Sequence, residues 1–162
     1  MSANLRPVSE EPTDVTLDQQ LCLALYTASR AMTARYRNSL TGLGLTYPQY
    51  LVMLLLWEVE TCSVTGIGQR LSLDSSTLSP LLKRLQTMGL VTRTRDARDE
   101  RLMIIGLTAR GQEMKDEAAY VQAEMCAATG TTRAEYLELV DTLRSLTEQL
   151  DASTREVAAS AS

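Results

Sequence analysis

A chain of 162 residues with 44% hydrophobic content is one domain's worth, with enough apolar side chain for an ordinary core. It carries no histidine, which removes Ser-His-Asp and Cys-His catalysis and the commonest metal ligand, and it has no Cys-x-x-Cys pair for zinc or thioredoxin-like chemistry. The net charge of −4 hides an asymmetry: residues 69–101 hold seven basic against four acidic side chains, a local basic face of the kind that phosphate contacts need.

The first element is a polar, acidic stretch, residues 1–16, read as a loose tail with no secretory signal pattern. Residues 17–40 then place Leu17, Leu21, Leu25, Ala28 and Met32 at helical spacing. Within this helix stands Cys22, either a small hydrophobe filling space, which the stretch alone favours, or a working thiol. Several residues into a helix that starts at 17, it is too far along for the full effect of the helix end. Three unevenly spaced cysteines without a signal segment fit a reducing cytosol rather than a disulfide framework, and no apolar run is long enough to span a bilayer.

The "TGLG" segment, 41–44, closes the first helix. "TYPQ", 46–49, forms a capping box with Thr46 as cap and Gln49 reaching back, and opens an apolar helix read as buried and central. "SVTGIGQRL" and "DSSTLSPLLKRLQTMGL" are two short helices, the second capped by Asp74 or Ser76 and closed by Gly89. Pro80 fits a start near Ser76 and implies a kink if the helix starts at Ser75. "LVTRTR" and "RLMIIGLT" around "DARDE" form a hairpin. Helix pair plus hairpin is a winged helix, with basic residues on the second helix and the hairpin tip. A helix capped by Thr108 should run to about 125–129 and stop at Gly130. "TRAE", 132–135, caps a last helix with Leu137, Val140, Leu143, Leu146 and Leu150 inward, and 152–162 reads as a frayed tail.

The expected fold is therefore mainly α, an α+β winged helix-turn-helix over about 43–107. Long helices over about 17–40 and 109–150 flank it as a dimerisation region within a single domain, 17–151. The outer helices carry more apolar surface than the winged unit can cover, which points to an identical partner chain. Dimeric winged helices present two recognition helices to successive major grooves of double-stranded DNA. On the second helix, Ser75, Ser76, Thr77 and Ser79 serve as cap residues, as ligands of phosphates and base edges, or both. Of Lys83 and Arg84, one contacts a phosphate and the other is a helix-surface charge. Arg98 at the tip is placed to enter an A·T-rich minor groove, while Asp96, Asp99 and Arg101 brace the wing by ion pairs.

"LDSSTLSPLLKRLQTMGLVTRTRDARDERLMIIGLT" resembles the multiple-antibiotic-resistance-regulator (MarR) family, whose wing carries Asp-x-Arg before a strand ending in Leu-Thr; Asp96, Arg98, Leu107 and Thr108 match. "LCLALYTASRAM" with "LGLTYPQYLVMLLLWE" is similar to that family's peroxide-sensing branch, the organic hydroperoxide resistance regulators, and the likeness covers residues 17 to about 150. The resemblance implies a homodimeric repressor, not an enzyme, that leaves an inverted-repeat DNA operator when an organic hydroperoxide oxidises a lone N-terminal cysteine. Cys22 matches that cysteine, and Tyr36 and Tyr47, with Tyr26 nearby, match the tyrosines that hydrogen-bond its sulfur. Cys126 matches the resolving thiol of the two-cysteine type, which pairs with the other subunit's sensor. No cofactor or metal is implied, and the expected location is cytoplasmic, off the membrane. Cys62 reads as incidental, and Tyr50, Tyr120 and Tyr136 as core-edge residues with satisfied hydroxyls.

Helical rise tests that implication. Tyr36 follows Cys22 by fourteen residues, about 21 Å along one axis, so the two cannot touch within one helix but can across two antiparallel copies of it. Tyr26, one turn on from Cys22, reaches it without a partner. Two other readings remain: a regulator of this fold switched by a small aromatic ligand, with Cys22 a bystander, and a cysteine-based peroxidase, which would need a reductant site and no basic wing.

Overall fold

A computed structural model describes residues 16–160; the rest of the expected N-terminal tail lies outside them. Seven α-helices and three short strands are described: α1 Leu21–Ser39, α2 Tyr47–Val59, β1 Thr61–Ser63, α3 Val64–Leu71, α4 Ser75–Thr87, β2 Val91–Arg95, β3 Met103–Leu107, α5 Ala109–Glu117, α6 Ala119–Ala128 and α7 Arg133–Ser160. The single domain expected over 17–151 divides into two compact units. Ala28–Glu124 form one, and the described residues up to Thr27 with those from Met125 form the other.

The larger unit is built around α2. Its capping box is present, with the Thr46 side chain on the third-residue amide and Gln49 Oε1 accepting from the Thr46 N–H at 2.9 Å. From Tyr47 to Trp57 no residue of α2 is exposed. Around it lie Leu78, Leu82 and Leu85 of α4, spaced to fall on one helical face, with Ile67 of α3, Ile105 of β3 and Met114 of α5, all buried. Burying several such side chains contributes roughly 1.5–3 kcal/mol each, so this apolar centre positions the surface elements of this unit.

The winged helix is present, with one element more than the expected hairpin. β2 and β3 pair antiparallel in the register Arg93–Ile105, and β1 adds to the free side of β3 through Cys62–Ile105. Between α2 and β1 the chain turns at Glu60, whose φ of 61° and ψ of −45° is a costly conformation for a residue with a Cβ. A strand of three residues is too short for alternation to reveal. Cys62 is thus a half-buried strand residue.

α4 starts at Ser75 with Asp74 as its cap, so Pro80 lies inside the helix and removes one intrahelical hydrogen bond, that to the Ser76 carbonyl. Gly89, at φ 71°, reverses the chain, and the Leu90 N–H returns to the Leu85 carbonyl at 3.0 Å. Thr108 caps α5, its hydroxyl oxygen accepting from the Gly111 N–H at 3.0 Å. The helix expected from there to 125–129 is broken at Ala118, where the Val121 N–H bonds the Ala118 carbonyl three residues back; this tighter turn interrupts the four-residue ladder.

α1 begins at Leu21, after a 3-10 turn at Leu17–Gln19, and a second such turn at Thr41–Leu43 closes on Gly44 at φ 66°. The Thr132–Glu135 box opens α7 as expected. The tail expected from 152 is instead helical to Ser160. Alanines favour the helix there, and the Thr154 hydroxyl and Arg155 Nε donate to carbonyls one turn back. None of α7's 28 residues is buried, and Leu137, Leu139, Leu143, Leu150 and Val157 are exposed, as are Leu17, Leu21 and Tyr26.

One contact fixes where α5 starts. A Cβ on Gly111 would lie 2.0 Å from the Leu90 carbonyl oxygen, so the first turn of α5 rests directly on the backbone between α4 and β2. Gly111→Ala is expected to destabilise the chain by about 2–3 kcal/mol or more, read as a lowered midpoint in urea with an unchanged slope.

Candidate functional site

The recognition surface grows from Asp74. Its Oδ1 accepts from the Thr77 N–H at 2.7 Å and the Ser76 hydroxyl at 2.6 Å, and its Oδ2 accepts from the Thr77 hydroxyl at 3.2 Å. These donors, the Ser76 hydroxyl first, hold the Asp74 carboxyl below its ordinary value. The cap is Asp74 itself, and Ser76 and Thr77, expected as cap residues, instead donate their hydroxyl protons to it. Ser75 and Ser79 are exposed, as are Lys83 and Arg84. With Leu78, Leu82 and Leu85 inward, helical spacing puts Ser76, Ser79 and Lys83 on one outward face, Pro80 beside them, and Arg84 a further 100° round. Both cations are exposed and flank the side opposite the three leucines.

At the wing tip, Asp96 Oδ1 accepts from the Arg98 N–H at 2.7 Å and the Asp99 N–H at 3.0 Å, and Asp99 Oδ1 accepts from the Arg101 N–H at 3.0 Å. Backbone donation, Arg98 first, keeps the Asp96 carboxyl below its usual value. The bracing is done by backbone amides in Asx turns and not by the ion pairs expected; among the described residues none joins Asp96, Asp99 and Arg101. Two short carboxylates are near enough to their own loop's N–H groups to take them first. Arg95, which the sequence reading passed over, closes the tip by donating from Nη1 to the Glu100 carbonyl at 3.0 Å. Its spacing of five residues across the turn was the available signal. The Arg98 side chain points from this braced loop and is exposed.

The thiol-site residues fall into two groups. Tyr36 and Tyr47 come together in the larger unit with ring centroids 4.5 Å apart, tilted by 33°; Tyr36 is buried and Tyr47 half-buried. Cys22 and Tyr26 lie in the smaller unit, both exposed, one turn apart on α1. Because α1 starts at Leu21, Cys22 is its second residue and not several residues in. It stands in the first turn of α1, which follows closely on the 3-10 turn at Leu17–Gln19. Cys126 is half-buried near the end of α6, and all three cysteines are free thiols. Tyr50 is fully buried rather than at a core edge, whereas the Tyr120 hydroxyl is satisfied, donating to the Ser39 carbonyl at 2.8 Å. Among the described residues no cluster of acidic and thiol side chains could hold a metal ion, and no helix is long and apolar enough to cross a membrane.

Known proteins resemble this arrangement. The family described as transcriptional regulator SarA/Rot matches residues 35–118. The transcriptional regulator TtmR of Methylorubrum extorquens is 47% identical over 150 residues, 91% of this chain and 77% of that protein. The organic hydroperoxide resistance transcriptional regulator of Bacillus subtilis is 54% identical over 85 residues, 52% of this chain and 58% of its own length. Among solved structures, reduced AbfR bound to DNA superposes with a TM-score of 0.71 at 36% identity, covering 83% of this chain and 92% of that one. The disulfide-formed state of AbfR gives 0.59 at 40% identity, covering 81% and 92%; the protein is from Staphylococcus epidermidis.

The depressed carboxyl of Asp74 sets a pH dependence. A carboxyl whose folded value lies below its unfolded one stabilises the fold above the unfolded value and stops doing so as pH falls through the folded one. Stability measured downward from about pH 4 should therefore fall more steeply in wild type than in Asp74→Asn, which keeps a capping oxygen without the titrating charge.

Proposed function

From a chain that belongs to the SarA/Rot and MarR group of winged-helix transcriptional regulators, we propose a homodimeric DNA-binding repressor that senses organic hydroperoxides through Cys22 and leaves its operator when that thiol is oxidised. The observation that carries the reading is the close Tyr36–Tyr47 pair, matched to a cysteine in the exposed first turn of α1. Two phenols side by side are hydrogen-bond donors for a sulfur brought to them. Fourteen residues of helical rise keep Cys22 from its own Tyr36, so the tyrosine pair serves the sensor of the other chain. The exposed apolar faces of α1 and α7 supply the surface for that pairing.

The chemistry is a displacement at oxygen. The Cys22 thiolate attacks the hydroperoxide, an S–O bond forms as the O–O bond breaks, and the leaving alkoxide takes a proton to become an alcohol. Sulfur is oxidised by two electrons to the sulfenic acid, and the peroxide is reduced. The Cys126 thiol of the other chain then attacks that sulfur, forming a disulfide and releasing water. DNA-bound and disulfide-formed states are both known for the similar AbfR, and the Bacillus relative is named for organic hydroperoxide resistance. DNA contact falls to Ser75, Ser76, Thr77, Ser79, Lys83 and Arg84 of α4 in the major groove, with Arg98 of the wing in an A·T-rich minor groove.

The test is binding to an A·T-rich inverted repeat from the chain's own upstream region, reduced and after an organic hydroperoxide. Wild type should lose affinity by roughly tenfold or more, about 1.4 kcal/mol, while Cys22→Ser keeps its DNA. A covalent dimer on a non-reducing gel should vanish in Cys126→Ser. Equal release by wild type and Cys22→Ser would return Cys22 to a packing role and favour a ligand-switched regulator; sustained peroxide consumption with DNA retained would favour a peroxidase.

A further inference from the structure

Tyr36 does not end at its contact with Tyr47. Its ring centroid lies 6.0 Å from that of Tyr50, and Tyr50 meets Trp57 edge-on at 6.2 Å and 69°. Trp57, the chain's one tryptophan, is buried and donates its indole N–H to the Gly111 carbonyl at 2.9 Å. Its own carbonyl accepts from Lys115 Nζ at 3.3 Å. Gly111 in turn is pressed onto the Leu90 carbonyl. Beside it the Thr108 N–H donates to the same carbonyl at 3.1 Å, and the Thr108 hydroxyl to Gly89 at 2.6 Å. Gly89 and Leu90 link the end of α4 to β2, while Thr108 links β3 to α5, whose first turn holds Gly111. The aromatic line thus runs without a gap from Tyr36 to the joint that carries both the recognition helix and the wing.

We propose that Tyr50 and Trp57 are positioning residues that couple the state of Tyr36 to the α4–wing joint, so that oxidation at the sensor reaches the DNA-binding surface through this line. The inference rests on the reading that Tyr36 faces the sensor sulfur. Interiors packed at crystal-like density transmit displacement instead of absorbing it, and a buried indole N–H with one acceptor moves with that acceptor or loses it. The ring contacts alone would let Trp57 slide; the hydrogen bond to Gly111 fixes it to the joint. Spatial continuity becomes coupling only when both ends respond to one element, which the experiment must supply.

Trp57→Phe keeps an aromatic ring against Tyr50 and deletes only the N–H and the second ring. In the full chain, reduced DNA affinity and the rate of Cys22 oxidation by an organic hydroperoxide should stay near wild type. The oxidation-induced loss of affinity should shrink by about tenfold, within the usual span of coupling energies. A merely structural residue would instead weaken the reduced complex and leave the ratio alone. Release by Trp57→Phe equal to that of wild type overturns the proposal. Should the variant fail to fold, Trp57 emission in wild type decides: it should shift on oxidation and stay fixed in Cys22→Ser, and an unshifted wild-type spectrum overturns the coupling. Failure of wild-type Cys22 to react, or of oxidised wild type to release DNA, overturns the sensing reading and this inference with it, and shows before any variant is compared.

Discussion

Burial of α2 is the constraint on which the rest of the larger unit depends. A helix with no exposed residue from Tyr47 to Trp57 must be covered on every side, and the winged-helix elements cover it together with Tyr36 of α1 and the start of α5. Its polar groups had to find partners inside: Gln49 in the capping box and the Trp57 indole at Gly111. These bonds fix which way the helix faces. Tyr47 at one end meets Tyr36, and Trp57 near the other meets the start of α5. A single buried rod therefore serves the candidate sensor pair and the joint beneath the wing.

The smaller unit has the opposite problem. α7 has no fully buried residue, with Val140 and Leu146 half-buried at most, and α1 shows Leu21 and Tyr26. Helices in proteins draw most of their stability from packing an amphipathic face, so these faces call for cover. In the proposed dimer the same cover brings Cys22 of one chain to the tyrosines of the other. Assembly and chemistry would then be one event: a monomer would hold the parts of the sensor without holding the sensor.

Much of this was legible in the residues. The boxes at Thr46–Gln49 and Thr132–Glu135 and the caps Asp74 and Thr108 stand where side-chain chemistry put them, because capping is local and a few residues carry all of it. What escaped depends on distant packing or on a count of one or two residues. β1 exists because β3 offers it a free side, and no alternation can show in three residues. The break at Ala118 has no glycine or proline to mark it. α7 runs past 152 on alanine propensity and back-donated hydroxyls, in a stretch whose polarity read as a tail. The start of α1 at Leu21 puts Cys22 in the first turn and not several residues in. Aspartates at the wing tip looked like ion-pair partners by charge, yet the nearest donors were their own loop's amides.

The central claim is that the sensor is shared between two chains, and mixed dimers test it most directly. One chain would carry Cys22→Ser with its tyrosines intact, the other Tyr36→Phe and Tyr47→Phe with its cysteine intact. If Cys22 works with the partner's tyrosines, the mixed dimer holds one complete site, and its single Cys22 should react with an organic hydroperoxide at the wild-type rate. If that cysteine reacts only as slowly as in the tyrosine-substituted homodimer, the site lies within one chain or the tyrosines play no part, and the account is contradicted.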